Sequence, residues 1–317
     1  MSNAQNKTTL AVSAVSSSVR EAFNFDVSKY PLSAVMGTEV VPTDQYGLFR
    51  SDTGYIDGVK SISGRYVPHS TDDVCALVEA ASTMFEGDVV CKTHWNKGHY
   101  VSVQPTDDQR RAIHGTKDNI FPRVIIRGGF DGKGFHGTMG YFRDACSNLA
   151  MMRSVAGTSV SIRHTSGLRD RMNFLIDTFG ELKNGWESLV TMSRDLESKK
   201  VNFQDFIDQV WADKRPEQEL FEAAKDPKTK VRAVTSWNDR EALLNARIDG
   251  ERRLTDRPAF ATGEEKIVSA WEAFNAVQGY YQHDAQAKKG FKSDFARILR
   301  AANERYVHRA ESLLLAA

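Results

Sequence analysis

The side chains best suited to chemistry are concentrated near predicted strand ends in the middle of the chain: Arg143, Cys146, Asn148, Arg163 and His164. Guanidinium groups and a carboxamide can line a groove that holds phosphates or bases. A purely structural interpretation stays open, because polar residues at turns commonly satisfy backbone groups. In that case Arg143 pairs with Asp144 or Asp131, and Asn148 caps a turn.

A thiol and an imidazole in this set suggest a second chemistry. A cysteine thiolate forms at neutral pH only beside a group such as imidazole, so Cys146 and His164 are a candidate nucleophile and base. No cysteine-protease motif surrounds Cys146, and cysteine is among the residue types most often buried. A hydrolase or nucleic-acid-modifying enzyme built around Cys146, His164 and Asp131 is therefore the alternative hypothesis, and no catalytic residue is assigned.

Neither a metal site nor a cofactor is predicted. His94 and His99 flank a turn, and no cysteine or further histidine stands at zinc-finger spacing from them. Asp107, Asp108 and His114 lie in a polar stretch that is typical of a solvated loop. The segment GGFDGKG lacks the G-x-x-x-x-G-K-[ST] spacing of a phosphate loop and is interpreted as a β-turn.

Cations and flat rings alternate in two stretches, 92–100 and 121–136. Residues 86–173 carry 13 basic and 8 acidic side chains, although the whole chain has 42 against 41 and a net charge of +1. Rings with cations nearby suit single-stranded nucleic acid, whereas the open alternative is a core of rings with solvated cations. The predicted nucleic-acid-binding residues are Arg123, Arg127, Lys133, Arg143, Asn148, Arg163 and His164.

Strands are predicted to position these residues in the first half of the chain. The runs DVVCKTHW and HYVSVQP, separated by a turn at Asn96–Gly98, predict a hairpin. FPRVIIR and FHGTMGYFR flank a glycine-rich turn, and SVSIRHT places Ile162 and His164 on one side and Arg163 on the other. Ser70 or Thr71 is expected to cap a helix whose apolar face includes Val74 and Leu77.

Helices are predicted for the second half. Apolar residues from Leu168 to Leu196 recur with a period near 3.5 over about four heptads, which is typical of a coiled-coil seam. Two interpretations of the seam stay open: packing within one subunit, which the pattern favours, and a homo-oligomer interface through the 168–196 helix. The second interpretation adds a further functional alternative, a non-enzymatic oligomeric assembly protein. Residues 215–240 are charged, contain two prolines and are interpreted as a surface connection.

The fold class predicted from these patterns is α+β, with a mostly antiparallel, β-rich N-terminal half and a long-helix C-terminal half. The expected division is a flexible arm at 1–20, a β-rich domain with one or two helices at 21–166, and a helical region at 167–317 packed on it. Three cysteines without C-x-x-C spacing indicate free thiols in a reducing cytoplasm. No apolar run reaches the roughly 20 residues that cross a bilayer, so no membrane partner is expected.

Four segments in order resemble a known family, the phage/plasmid-like proteins of unknown function. They are LFRSDTGYIDGVKSISGRYVP, FDGKGFHGTMGYFRDACSN, IRHTSGLRDRM and SAWEAFNAVQGYYQHD. A departure is that Gly128, Gly129 and Phe130 stand where the family usually has polar residues. The resemblance implies a phage or mobile-element origin and hence the host cytoplasm, but no reaction. Some members are similar in outline to phage single-strand annealing proteins, which makes an annealing or recombination factor the leading hypothesis.

Overall fold

Sheets dominate the first half of the chain and helices the second half in the computed structural model, so the predicted α+β class is confirmed. The structure describes residues 6–112, 119–130, 134–143, 149–150, 158–181, 185–216, 226–285, 297, 300–301 and 304–316. The chain divides into two units. Unit 1 comprises 1–110, 121–141 and 152–186, and unit 2 comprises 111–120, 142–151 and 187–317.

The strands in chain order are β1 (Asn6–Ala11), β2 (Val27–Met36), β3 (Glu39–Arg50), β4 (Gly54–Tyr55), β5 (Ile62–Ser63), β6 (Asp88–Trp95), β7 (Gly98–Pro105), β8 (Arg111–Ala112), β9 (Asn119–Gly129), β10 (Phe135–Arg143), β11 (Leu149–Ala150), β12 (Thr158–Ile162), β13 (Lys200–Asn202) and β14 (Ile267–Ser269). The α-helices are α1 (Val15–Ala22), α2 (Thr71–Ser82), α3 (Leu168–Glu181), α4 (Gly185–Ser198), α5 (Phe203–Val210), α6 (Pro227–Leu254), α7 (Ala270–Gly279) and α8 (Arg305–Ala316). A π-helical turn, Tyr280–Asp284, continues α7.

The main sheet has eight strands in the order β1-β6-β7-β9-β10-β11, and off this path β12 pairs with β10 and β8 pairs with β9. The pairs β1–β6, β6–β7, β7–β9 and β10–β12 are antiparallel, and the predicted hairpin of β6 and β7 is confirmed. Because side chains alternate along a strand, the register defines two faces. One face, with Cys91, Val103 and Val124 in a row, packs against α1, α2 and α3 to form the apolar core.

The helix predicted after Ser70 is confirmed as α2. The hydroxyl of Ser70 accepts a hydrogen bond from the backbone N–H of Asp73, and the Asp73 carboxylate accepts one from the N–H of Ser70. Val74 and Leu77 are fully buried in the core of unit 1. The capping box fixes where α2 begins, and its apolar face fixes how it lies on the sheet.

A second sheet of unit 1 is built on a long ribbon, in which β2 pairs with β3, and β4 and β5 pair with β3. Only the base of the ribbon is buried: Val27 and Leu48 pack with Ile56, Val59 and Phe130. Every residue from Ser33 to Asp44 is exposed. The ribbon therefore extends from the unit as a two-stranded arm.

Unit 2 is organised around α7, all ten residues of which are buried. Ser269 and Glu272 form a capping box at its start, and Trp271 and Phe274 are fully buried. The rings of Trp211, Tyr281 and Tyr306 contact one another: the Trp211 centroid lies 6.1 Å from that of Tyr281 and 5.6 Å from that of Tyr306, and the two tyrosine rings are 6.1 Å apart. The Trp211 indole N–H donates to the Tyr281 hydroxyl at 3.1 Å. Aromatic packing and the hydrogen bond of the Trp211 indole N–H therefore stabilise this core.

The expected division of the chain needs correction. From Asn6 onward the supposed arm at 1–20 is ordered structure: β1 pairs with β6, and Val15 and Val19 of α1 are buried in the core. The boundary at residue 166 is also displaced, because α3 belongs to unit 1 and residues 111–120 and 142–151 belong to unit 2. The prediction of a flexible arm relied on the small polar residues of this segment, but such residues can also form an edge strand.

Two predictions for the second half have different outcomes. The segment interpreted as a surface connection, 215–240, contains the start of α6, a 28-residue helix with Asp226 as N-cap and Pro227 at its first position. In the heptad seam, Leu168, Met172 and Leu175 are buried in the core of unit 1. Those three residues support packing within one subunit, and Leu182 of the seam lies outside the described residues.

Candidate nucleic-acid interface

The second face of the main sheet, opposite the apolar core, combines cations with rings. In one cross-strand row His94 lies opposite Tyr100, which lies opposite Arg127. In the neighbouring row Lys92 lies opposite Ser102, and Arg123 is four residues before Arg127 on β9, hence on the same face. We name this side of the sheet the basic face; its residues are Val90, Lys92, His94, Tyr100, Ser102, Gln104, Arg123, Ile125 and Arg127, of which Ser102 and Ile125 are buried.

Cations outnumber carboxylates on the basic face. Lys92, Arg123 and Arg127 are half-buried, as are His94 and Tyr100. The first residue of β6, Asp88, is exposed, and because it is two positions before Val90 it projects to the same side of the sheet at the end of the strand. Because Lys92, Arg123 and Arg127 outnumber Asp88, this side of the strands has an excess of positive charge that attracts anions.

Arg123 has the best-defined environment on this face. Its Nε donates to the Ser102 hydroxyl at 2.9 Å, and the Tyr100 phenol is a second hydrogen-bond partner. Burial lowers the pKa of Arg123 and raises the pKa of Tyr100, and each partner opposes the shift of the other. Since arginine keeps its proton in proteins, the result is an oriented, partly desolvated cation, whose attraction for a phosphate exceeds that of a solvated one.

The structure brings together only part of the predicted binding set. Arg123 and Arg127 share the basic face, and Arg163 is an exposed residue directly after β12. Lys133 and Asn148 lie outside the described residues. Lys92, Tyr100 and Ser102 were not in the predicted set, although the alternation of polar and apolar residues along β6 and β7 was the signal for their common face.

Arg143 is a correction: the prediction that it holds a phosphate is wrong. It is 1% exposed and pairs within unit 2 with Glu251, itself 4% exposed, with 2.5 Å between Nη1 and Oε2. The guanidinium carbon also lies 5.9 Å from the centre of the Trp271 ring. The structural alternative of an ion pair is correct in kind, with Glu251 as a partner; Asp131 and Asp144, the partners named in that interpretation, lie outside the described residues.

His164 is a second correction, because it lies on the apolar side of the sheet and is 6% exposed. Its ring stacks on Tyr66 at 4.7 Å, and its Nδ1 is 3.1 Å from the carbonyl oxygen of Val67. A nucleic-acid strand cannot reach it there. Cys146 and Asp131, its partners in the enzyme hypothesis, lie outside the described residues.

His164 belongs to a cluster of three buried histidines that the sequence did not predict. His69 Nε2 is 2.8 Å from His99 Nδ1, and His99 Nε2 is 3.2 Å from the hydroxyl of Thr71. The ring of His69 stacks on Phe130 at 4.4 Å, and its centroid is 5.2 Å from that of His164. The three histidines are distant in sequence and come together only through tertiary packing, so no local motif predicted the cluster.

Burial governs the protonation of this cluster. It lowers the pKa of His69 well below its ordinary value, lowers that of His164, and lowers that of His99 to about 3. For His99 the Arg50 guanidinium, which lies over the Phe25 ring, adds a smaller effect in the same direction. All three imidazoles are therefore neutral in the folded protein at neutral pH.

Acidification is expected to destabilise unit 1 through these histidines. Each folded-state pKa lies below the unfolded value near 6.5, so the unfolded chain binds more protons as the pH falls below 6.5. The contribution of the neutral histidines to stability is complete above that pH and is lost below it. Protonation linked to His99 alone lowers the free energy of unfolding by about 2 kcal/mol between pH 6.5 and 5. Thermal unfolding followed from pH 7.5 to 5 should show a falling midpoint, whereas a constant midpoint would contradict this protonation state.

Metal and redox chemistry find no support in the part of the chain that the structure describes. There, no group of three or more His, Cys, Asp or Glu side chains could hold a metal ion. Cys75 and Cys91 are buried free thiols, and burial raises the pKa of each to about 11, which keeps them protonated and unreactive. Among the described helices none is long and apolar enough to cross a membrane.

Comparison with known proteins identifies a family of unknown function. Neither a curated protein nor a solved structure matches the chain. A family profile does match, over residues 59–314, and this range includes α2, most of the main sheet and the helices of unit 2. The chain belongs to the family described as Domain of unknown function (DUF932).

Proposed function

We propose that this protein binds single-stranded nucleic acid on the basic face of its main sheet. The observation that carries the proposal is the set of three cations, Lys92, Arg123 and Arg127, beside the Tyr100 ring on neighbouring antiparallel strands. Phosphates would lie against the cations, and a base would stack on the phenol ring. No cofactor is needed for binding of this kind.

The biological setting proposed for this activity is a phage or plasmid whose product works in the host cytoplasm. The resemblance to phage/plasmid-like proteins supports that origin, and the similarity in outline to annealing proteins supports a role in recombination. A strand held by its phosphates leaves the edges of its bases free to pair with a second strand. Annealing is therefore the activity that such binding would serve.

Binding can be measured by the anisotropy of a fluorescent single-stranded oligonucleotide at low salt. Lys92→Ala and Arg127→Ala each remove one cation from a half-buried position. A hydrogen bond to a charged group contributes about 1.5–3 kcal/mol, so each substitution should raise Kd about tenfold or more. Their near-ultraviolet circular dichroism should match the unaltered protein.

Arg169→Ala is the matched control. Arg169 has a side chain 79% exposed on α3, and Leu168 and Met172 of that helix pack on the apolar face of the sheet. Its removal should leave Kd unchanged. If Arg169→Ala weakens binding as much as Arg127→Ala does, the attraction is diffuse and the basic face is not the site.

A further inference from the structure

The distal part of the β2–β3 ribbon exposes apolar side chains that a stable fold normally covers. We name residues 32–44 the ribbon tip. Val35 is 74% exposed, Val40 68% and Met36 67%. An isolated two-stranded ribbon is marginal in water, and exposed apolar patches mark interaction sites. The ribbon tip is thus a surface that requires a partner.

Both faces of the ribbon tip are apolar. Val35 pairs with Val40 across the strands, so these two side chains share one face. Ala34 pairs with Val41 on the other face, next to the side chain of Met36. A ribbon that is apolar on one side can lie on a surface, but one that is apolar on both sides needs a groove.

Charge indicates the chemistry of that groove. From Tyr30 to Phe49 the chain contains Glu39 and Asp44 and no lysine, arginine or histidine. Phosphates of nucleic acid or of anionic lipids would be repelled by this segment. The groove must combine apolar side chains with cations, and it must belong to a protein.

This chain carries a groove of that kind at the N-terminal part of α6. The first turns of the helix carry Lys228, Lys230 and Arg232, and the charged residues that line the groove itself are Arg232, Arg240 and Asp239. Val231 is 63% exposed and Leu243 is 41% exposed. A groove of about 350 Å³ runs between them; it is lined by Val231, Arg232, Thr235, Ser236, Asp239, Arg240, Leu243 and Tyr280.

We propose that the ribbon tip of one molecule inserts into the α6 groove of a second copy of this chain. The two surfaces are complementary, because a ribbon with exposed apolar side chains, two carboxylates and no cation meets a groove with exposed apolar side chains and two arginines against one carboxylate. They are also different surfaces, so the contact is head-to-tail and generates rings if the rotation closes and filaments if it does not. Self-association through these surfaces is independent of nucleic-acid binding on the basic face.

Light scattering at increasing protein concentration tests the association. The unaltered protein should form assemblies larger than a monomer. Val35→Thr together with Val40→Thr keeps β-branched shape and strand propensity while it removes apolar surface, so this tip variant should be monomeric with an unchanged thermal midpoint. A monomeric unaltered protein, or a tip variant that assembles normally, overturns the proposal.

An experiment in which two variants are mixed distinguishes the interface between ribbon tip and α6 groove from any other interface. Val231→Asp with Arg232→Glu disables the groove, and this groove variant should also be monomeric. An equimolar mixture of tip and groove variants retains one intact tip and one intact groove, so it should form dimers and nothing larger. If the groove variant assembles alone, or the mixture stays monomeric, the α6 groove is not the acceptor.

Discussion

Arg143→Met is expected to lower the free energy of unfolding of unit 2 by about 3–5 kcal/mol. The substitution leaves Glu251, 4% exposed, as a buried charge without its cation. It also removes a cation near the face of Trp271. Denaturant titration followed by tryptophan fluorescence measures the loss, because Trp211 and Trp271 are both buried in unit 2.

Two further variants assign this loss to the ion pair. Arg143→Met with Glu251→Leu removes both charges and should recover much of the lost stability, because apolar replacement of a whole buried pair is often nearly neutral. Arg163→Ala, an exposed residue, should change stability by less than about 0.5 kcal/mol. If Arg143→Met kept full stability but lost affinity for nucleic acid, Arg143 would be a ligand residue after all.

Gly98→Ala is expected to cost about 3 kcal/mol or more, or to prevent folding of unit 1. A Cβ at this position would lie 2.6 Å from the Cα of Gly129 and closer still to the carbonyl oxygen of Gly128. Both neighbours are backbone atoms of β9, which pairs with β7 at this point. Because no side chain can rotate away, the two strands must separate.

The control for Gly98→Ala is a glycine with open space. An added Cβ at Gly250, inside α6, meets no atom within 4 Å. Gly250→Ala should therefore raise stability by about 0.5–1 kcal/mol through helix propensity. Thermal unfolding of both variants makes the comparison, and a Gly98→Ala protein as stable as the unaltered one would show that β7 and β9 lie farther apart than described.

Period-two alternation explains why part of the binding set was predictable. Arg123 and Arg127 are four residues apart in a strand, so any correct strand assignment places them on one face. The same rule separates Arg163 from His164. The hairpin of β6 and β7 followed from its turn residues, and α2 followed from its cap.

Contacts between residues far apart in the sequence explain which features of the structure could not be predicted. Glu251 is 108 positions from Arg143, and nothing local marks one as the partner of the other. His69, His99 and His164 likewise meet only after the sheet and α2 have formed. The long helix α6 was missed for a different reason: Pro227 was taken for an interruption, whereas behind the Asp226 cap it begins a helix.

The salt dependence of single-strand binding tests the central claim most directly. Binding by phosphate contacts releases counterions, so log K falls with log salt by about 0.7 per neutralised phosphate for single strands. Three cations on the basic face predict a slope near −2, and Lys92→Ala with Arg127→Ala should reduce its magnitude to about 0.7. A slope near zero, or one that the double substitution leaves unchanged, would contradict binding on the basic face.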